Sequence, residues 1–251
     1  MNDRRTFIKK ASMGVAGLAA VPYLDPVNLS SGMPLQLPDN LTILLQGDSI
    51  TDAGRDRGAY YVNNGRGMGD GYVYQIVAEI LGAHPEKGFR FYNRGISGNK
   101  VYQLAERWED DCLQLKPDVL SILIGVNDFW HTLSSGYTGT VESYDGDFRQ
   151  LLDRTKEAYP DIKLIIGEPF AVEGGTAINS AWYPEFPRYQ KAAGNIASDY
   201  GAVFIPYQRI FDEALKKAPV DYWCPDGVHP SIAGGYLMKK AWIEAFYGLL
   251  K

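Results

Sequence analysis

Hydrophobic and polar residues alternate along the chain in two kinds of block. Short, nearly continuous apolar runs occur at Leu41–Gln46, Phe89–Asn93, Val119–Ile124, Ile162–Gly167 and Ala202–Ile205. Runs of this length, partly β-branched and bounded by turn residues, predict strands that are covered on both faces. Between them, apolar positions recur at helical spacing over Tyr72–Leu81, Val101–Leu115, Ser143–Tyr159, Tyr189–Tyr200 and Ser231–Leu249. A strand–helix alternation implies right-handed βαβ crossovers, and hence a parallel sheet with helices on both sides. The predicted fold class is therefore α/β: a three-layer α/β/α sandwich around a flavodoxin-like, five-stranded parallel sheet, for which the order 2-1-3-4-5 is expected.

The first residues break this pattern. Asp3-Arg4-Arg5-Thr6-Phe7-Ile8-Lys9-Lys10 precedes a mild apolar stretch from Ala11 to Val21. A basic start, a short apolar region and then small residues read as an export leader, and the paired arginines resemble a twin-arginine signal. Pro22, Pro26, Pro34 and Pro38 punctuate the stretch beyond it. The expected organisation is a signal peptide over residues 1–22, a linker over 23–38 and one domain over 39–251. On this reading the protein is exported, periplasmic or extracellular. No second composition shift and no internal repeat divides the rest, which is long enough for one sizeable core.

Formal charge is −5, and removing the basic leader leaves about −8. An acidic chain argues against nucleic acid or an anionic membrane as a general partner, and no stable membrane insertion is expected. Cys112 and Cys224 are the only cysteines. Two are too few for a disulfide framework or a zinc site, and buried thiols are the default.

The strand-to-helix loops hold the candidate chemistry, because they open at the carboxyl edge of such a sheet. Gly47-Asp48-Ser49-Ile50 follows the first strand, Gly95-Ile96-Ser97-Gly98-Asn99 the second and Gly125-Val126-Asn127-Asp128 the third; Asp226-Gly227-Val228-His229 precedes the last helix. Ser49 is a candidate nucleophile, although Gly-Asp-Ser is also an ordinary turn and capping sequence. His229 is a candidate base, and Asp226 can turn back to its Nδ1, holding the tautomer whose Nε2 accepts a proton. The plainer alternative makes Asp226 a helix cap. The Asn127 amide and the Gly98 backbone N–H are candidate oxyanion donors. Asp48 and Asp128 read as structural groups bonding local backbone. With His131, four residues past Asn127 and near the rim, they could form a metal site, but no ligand spacing supports one. No metal and no organic cofactor are expected. The Gly-x-Ser-x-Gly elbow is absent, since Thr51 stands where its second glycine would be.

Together and in this order, Gly-Asp-Ser, the glycine of Ile-Ser-Gly, the asparagine of Gly-Val-Asn-Asp and Asp-x-x-His resemble the SGNH (GDSL-type) hydrolases over residues 41–250. The resemblance implies Ser49 as nucleophile, His229 as base, Asp226 as its orienter, and an oxyanion hole of Ser49, Gly98 and Asn127. Gly-Asp-Ser-Ile-Thr-Asp-Ala-Gly-Arg, Asn-Arg-Gly-Ile-Ser-Gly-Asn, Arg-Trp-Glu-Asp-Asp and Ser-Ile-Leu-Ile-Gly-Val-Asn-Asp-Phe-Trp are similar to small bacterial acetylxylan esterases. That narrower likeness implies a serine esterase deacetylating xylan or related glycans, with an acetylated carbohydrate as its substrate partner. Some members assemble as oligomers, so a homo-oligomer is one expectation. A lipid-directed esterase or lysophospholipase is the alternative, and an exported glycan-binding protein with an idle site a more distant one. Tyr60, Trp130, Trp182 and Trp223 are candidate sugar contacts, since ring faces stack on pyranose faces. Tyr61 and Tyr183 are weaker ones. The segment 168–182 carries no residue that the resemblance assigns.

Overall fold

The computed structural model describes residues 36–251. The leader expected over residues 1–22, and all but the end of the linker, lie outside the described residues. Leu37 is 5% exposed within the core, and its carbonyl accepts a hydrogen bond from Lys87 Nζ at 2.8 Å. The compact unit therefore runs Leu37–Lys251, starting slightly before the boundary read from the prolines.

Five strands, β1 (Thr42–Gly47), β2 (Arg90–Asn93), β3 (Val119–Leu123), β4 (Lys163–Gly167) and β5 (Val203–Ile205), form one sheet in the order β2-β1-β3-β4-β5. Every pairing is parallel. The order and class agree with those predicted. β1 and β3 are buried along their whole length, which is why their sequences are apolar at successive positions rather than alternate ones.

In chain order the helices are α1 (Ser49–Asp52), α2 (Tyr72–Ala83), α3 (Val101–Glu106), α4 (Trp108–Asp111), α5 (Val126–Ser134), α6 (Val141–Ala158), α7 (Phe186–Asp199), α8 (Tyr207–Leu215), α9 (Val220–Trp223) and α10 (Ile232–Leu249). Helices α2 and α10 pack together on one face of the sheet, where Trp242 Nε1 of α10 donates to Ser121 Oγ of β3 at 2.9 Å. On the other face α6 packs between α3 and α7, and Trp108 Nε1 donates to Thr155 Oγ1 at 3.0 Å. Both indoles are fully buried, and each finds the acceptor that a buried N–H requires.

Two local expectations are corrected. Val101–Leu115 is not one helix: α3 and α4 part at Arg107, and Leu113–Leu115 is a 3₁₀ turn. The Arg107 guanidinium reaches Asn99 Oδ1, Arg94 O and Asp111 Oδ2 at 2.8–2.9 Å, so tertiary bonds redirect a continuous helical periodicity. The Asn127 block is likewise not a loop at a strand end, because Asn127 lies in the first turn of α5. Helix α8 has no counterpart among the predicted elements, although Tyr207, Phe211 and Ala214 bury one side of it at helical spacing. Cys112 and Cys224 are both free and buried. Among the described residues no helix is long and apolar enough to cross a membrane.

Candidate active site

Register brings three of the four blocks side by side. Gly47 at the end of β1 pairs with Leu123 at the end of β3, while Leu45 pairs with Asn93 at the end of β2. The segments bearing Ser49, Asn127 and Gly98 therefore leave three adjacent strands at one edge. Gly47 is required by close approach: a Cβ there would stand 2.3 Å from the Leu123 carbonyl oxygen and 2.5 Å from Thr51 Oγ1. Asp48 then caps α1, its Oδ1 accepting the Ile50 N–H at 3.0 Å. Ser49 is the first residue of that helix, half-buried. A first-turn N–H has no partner within its own helix. The Ser49 and Gly98 N–H groups have no acceptor among the described residues.

The fourth block comes from the turn before α10. Ser49 Oγ lies 2.7 Å from His229 Nε2, and His229 Nδ1 lies 2.6 Å from Asp226 Oδ2. The other carboxylate oxygen, Oδ1, accepts the backbone N–H groups of Val228 at 2.9 Å and His229 at 2.7 Å. Burial alone would raise the Asp226 carboxyl, but these hydrogen bonds, led by the imidazole's, outweigh it and hold it at about 2. Asp226 is thus ionised at neutral pH. Its hydrogen bond and charge raise His229 above the ordinary histidine value against the opposing effect of partial burial, and the Asp48 carboxyl adds to the rise. The carboxylate accepts a hydrogen bond from Nδ1–H, so in the neutral ring Nε2 is left bare toward the serine.

The segment 168–182, which has no role assigned by the sequence, clamps this turn. Val172 N–H donates to Gly227 O at 2.8 Å, Thr176 N–H to Pro225 O at 3.2 Å and Ala177 N–H to Asp226 O at 3.0 Å. A Cβ on Gly175 would stand 2.2 Å from Gly227 N, so glycine there permits backbone-on-backbone contact.

Gly98 has φ +82°, and the one atom within 4 Å of a Cβ built there is His131 Cε1 at 3.9 Å. Its left-handed backbone, rather than crowding, selects glycine. The loop that bears it is tied down from both sides. From α1, Asp52 Oδ2 accepts Ser97 N–H and Ser97 Oγ–H, each at 2.8 Å, and Arg57 Nη2 at 2.5 Å. Arg55 Nε, just past α1, donates to Gly95 O at 2.8 Å. From α5, Asn127 Nδ2 donates to Asn99 O at 3.1 Å and Asp128 Oδ1 accepts the Val101 N–H at 3.1 Å. Asp128 is structural as expected, but its backbone partner is distant in sequence rather than local. Asp52 and Arg55 hold the Gly98 loop in place, a supporting part that the sequence does not assign to them. Their signal is present in the run Ser-Ile-Thr-Asp-Ala-Gly-Arg, where two charged residues follow the serine within two turns of chain.

Asp48 and Asp128 are both fully enclosed, and burial pushes each carboxyl up to about 7. One oxygen of each, Oδ2, has no protein partner. Among the described residues no three His, Cys, Asp or Glu side chains cluster to hold a metal ion.

The aromatic candidates separate. Trp130 is half-buried, its ring centroid 6.3 Å from that of His229, which places it beside the candidate base. Trp182 is 1% exposed, packed on Phe129, Trp130 and Phe186, with Nε1 bonded to Ala177 O. It has no free face for a sugar and instead supports Trp130 from behind, a correction to the expectation. Tyr60 is 56% exposed with the Arg94 guanidinium 4.6 Å over its ring. Trp223 lines a shallow groove with Tyr222, Ile232 and Tyr236. That groove adjoins the pocket of about 370 Å³ beside Ser49 and His229, sharing Ser231 and Ile232 with it. A pocket of this volume is at the small end of ligand sites.

A three-layer parallel sheet with Gly-Asp-Ser at its carboxyl edge and an Asp–His pair before the last helix defines a class. Residues 45–236 match the GDSL-like lipase/acylhydrolase family, and the chain belongs to it. The protein is an esterase. It is 34% identical over 207 residues to the acetylxylan esterase of Geobacillus stearothermophilus, covering 80% of this chain and 92% of that one. The crystal structure of the Geobacillus enzyme superposes with a TM-score of 0.74 at 32% identity, over 83% of this chain and 95% of that chain. A GDSL-like lipase homologue from Parabacteroides merdae superposes with a TM-score of 0.83 at 50% identity, over 86% and 99%.

Proposed function

We propose that the protein is a serine esterase that removes acetyl groups from xylan or related plant oligosaccharides and polysaccharides. The observation that carries this reading is the hydrogen-bonded chain from Ser49 Oγ through His229 to Asp226, at 2.7 and 2.6 Å. Ser49 attacks the acetyl carbonyl as His229 Nε2 takes its proton. The tetrahedral oxyanion is met by the Ser49 and Gly98 N–H groups and by the Asn127 amide. His229 then protonates the departing sugar oxygen, and water, activated by the same imidazole, clears the acetyl-enzyme.

The acetylxylan esterase relative supports the substrate class, and its catalytic mutants carry substitutions of a serine and of an aspartate. The Arg4-Arg5 leader pattern supports export, and self-association is part of the same proposal through the oligomeric members of the group. The test is acetate release from acetylated xylo-oligosaccharides beside a series of 4-nitrophenyl esters of rising chain length. Ser49→Ala should abolish turnover on all of them while circular dichroism and Tm stay close to the parent. Undiminished turnover in that variant refutes Ser49 as nucleophile. A preference for long acyl chains would refute the acetyl reading and give the Ile232–Tyr236 groove to a lipid tail.

A further inference from the structure

One imidazole beside the site has no part in that chemistry. His131 lies four residues after Asn127 on α5, so the two share a face. Its Nδ1 is 3.1 Å from Lys100 Nζ. An ammonium carries three N–H groups and no lone pair, so Lys100 donates and Nδ1 is the acceptor. The ring's single proton is therefore on Nε2. Burial, and then the Lys100 charge, lower His131 below the ordinary histidine value, so the ring stays neutral near pH 7.

Lys100 is held firmly. It is 7% exposed, and its Nζ sits 5.6 and 5.1 Å from the ring centroids of Tyr102 and Tyr137. Those two rings are themselves stacked at 5.9 Å. Burying a cation is costly unless it is compensated. Here the two aromatic faces and the His131 Nδ1 acceptor provide compensation, and the hydrogen bond also orients that ring. That ring is half-exposed, and its Nε2–H has no acceptor among the described residues. Its Cε1 is the one atom within 4 Å of a Cβ built on Gly98, at 3.9 Å, so the edge of the imidazole stands beside the glycine of the proposed oxyanion cradle.

An acetyl ester offers two oxygens. The carbonyl oxygen already faces three donors, and the bridging oxygen receives its proton from His229. A further donor beside Gly98 is not needed by the acetyl half, which leaves the alcohol half as the part of the substrate it can serve. We infer that His131, fixed by Lys100 with its proton on Nε2, is a specificity-determining residue that donates to a hydroxyl or ring oxygen of the acetylated sugar. The inference rests on the carbohydrate reading above.

The test compares kcat/KM for an acetylated xylo-oligosaccharide with that for 4-nitrophenyl acetate, whose alcohol half has neither a ring oxygen nor a hydroxyl beside the ester. In His131→Phe the ratio of the two should fall about tenfold or more, the worth of one well-placed hydrogen bond. In Lys100→Met it should fall by less, because the ring then divides between tautomers. Nitrogen-15 NMR of the parent protein should show His131 Nδ1 bare and Nε2 protonated at neutral pH. A ratio within about twofold of the parent, with both substrates falling together, overturns the inference and makes His131 a packing residue, as does a protonated Nδ1. If the parent releases no acetate from any sugar ester, the substrate reading falls first and this one with it.

Discussion

Asp226→Asn isolates what the carboxylate does to the imidazole. The amide oxygen of the variant can still accept the Val228 and His229 backbone N–H groups, which are 2.9 and 2.7 Å from the present Oδ1, so the turn should keep its shape. The amide nitrogen would then face His229 Nδ1 as a donor. To accept it the ring must move its proton to Nε2, pointing an N–H at Ser49 Oγ where a lone pair is needed. The charge is lost as well. Imidazolium and carboxylate are 2.6 Å apart, and both side chains are roughly a third or more exposed. An effective dielectric between that of a protein surface and bulk water then leaves ~2–6 kcal/mol of attraction, discounted toward the lower end by solvent screening. Charge and tautomer together predict a loss in kcat/KM of about 10³–10⁴ for 4-nitrophenyl acetate.

The pH profile gives a second readout. In the proposed mechanism neutral His229 is the active form, and its value is raised in the parent, so parent kcat/KM should climb through a limb above the ordinary histidine value of 6.5. Without the carboxylate the imidazolium loses its main support, and the limb of the residual activity should move to lower pH. A loss smaller than about tenfold, or an unmoved limb, would refute the role given to Asp226.

Asn127→Ala should lower kcat by about 10²–10³ with a small effect on KM, because an oxyanion donor acts mainly in the transition state; steady-state kinetics on acetyl esters decide it, and a loss under tenfold would leave Asn127 only its bond to Asn99 O. For Asp128→Asn the prediction concerns stability. The parent carboxyl sits at about 7 against an ordinary 3.8, so the folded state keeps a proton that the unfolded chain releases. Stability from this group is present below about pH 4 and is lost as pH rises through 7. The substituted amide would keep an acceptor for the Val101 N–H with no charge to bury. The variant's Tm, measured against the parent from pH 5 to 8, should improve steadily, by at most ~4 kcal/mol in stability; a constant difference would count against a buried, proton-holding Asp128.

The fold is legible because β1 and β3 are covered on both faces, and such strands write themselves as unbroken apolar runs. The serine, histidine and aspartate are legible because each lies within a few residues of a strand or helix end, and spacing alone sets Asp226 three residues before His229. Periodicity cannot reveal the break at Arg107, because it is made by partners at Asn99, Arg94 and Asp111. Nor can it tell Trp130 from Trp182: both are tryptophans near the rim, and only packing against Phe129 and Phe186 buries one of them.

By itself, then, the order of residues determined the sheet, its strand order and the identity of the groups at its carboxyl edge, since these follow from local period and chain connectivity. What only the tertiary structure decided is how those groups are held. Asp52 and Arg55 grip the Gly98 loop from one side while Asn127, Asp128 and the Lys100–His131 pair secure it from the other, and 172–177 clamps the Asp226–His229 turn. These are contacts between segments far apart in the chain, and no local pattern encodes a bond whose two ends meet only after the sheet has formed.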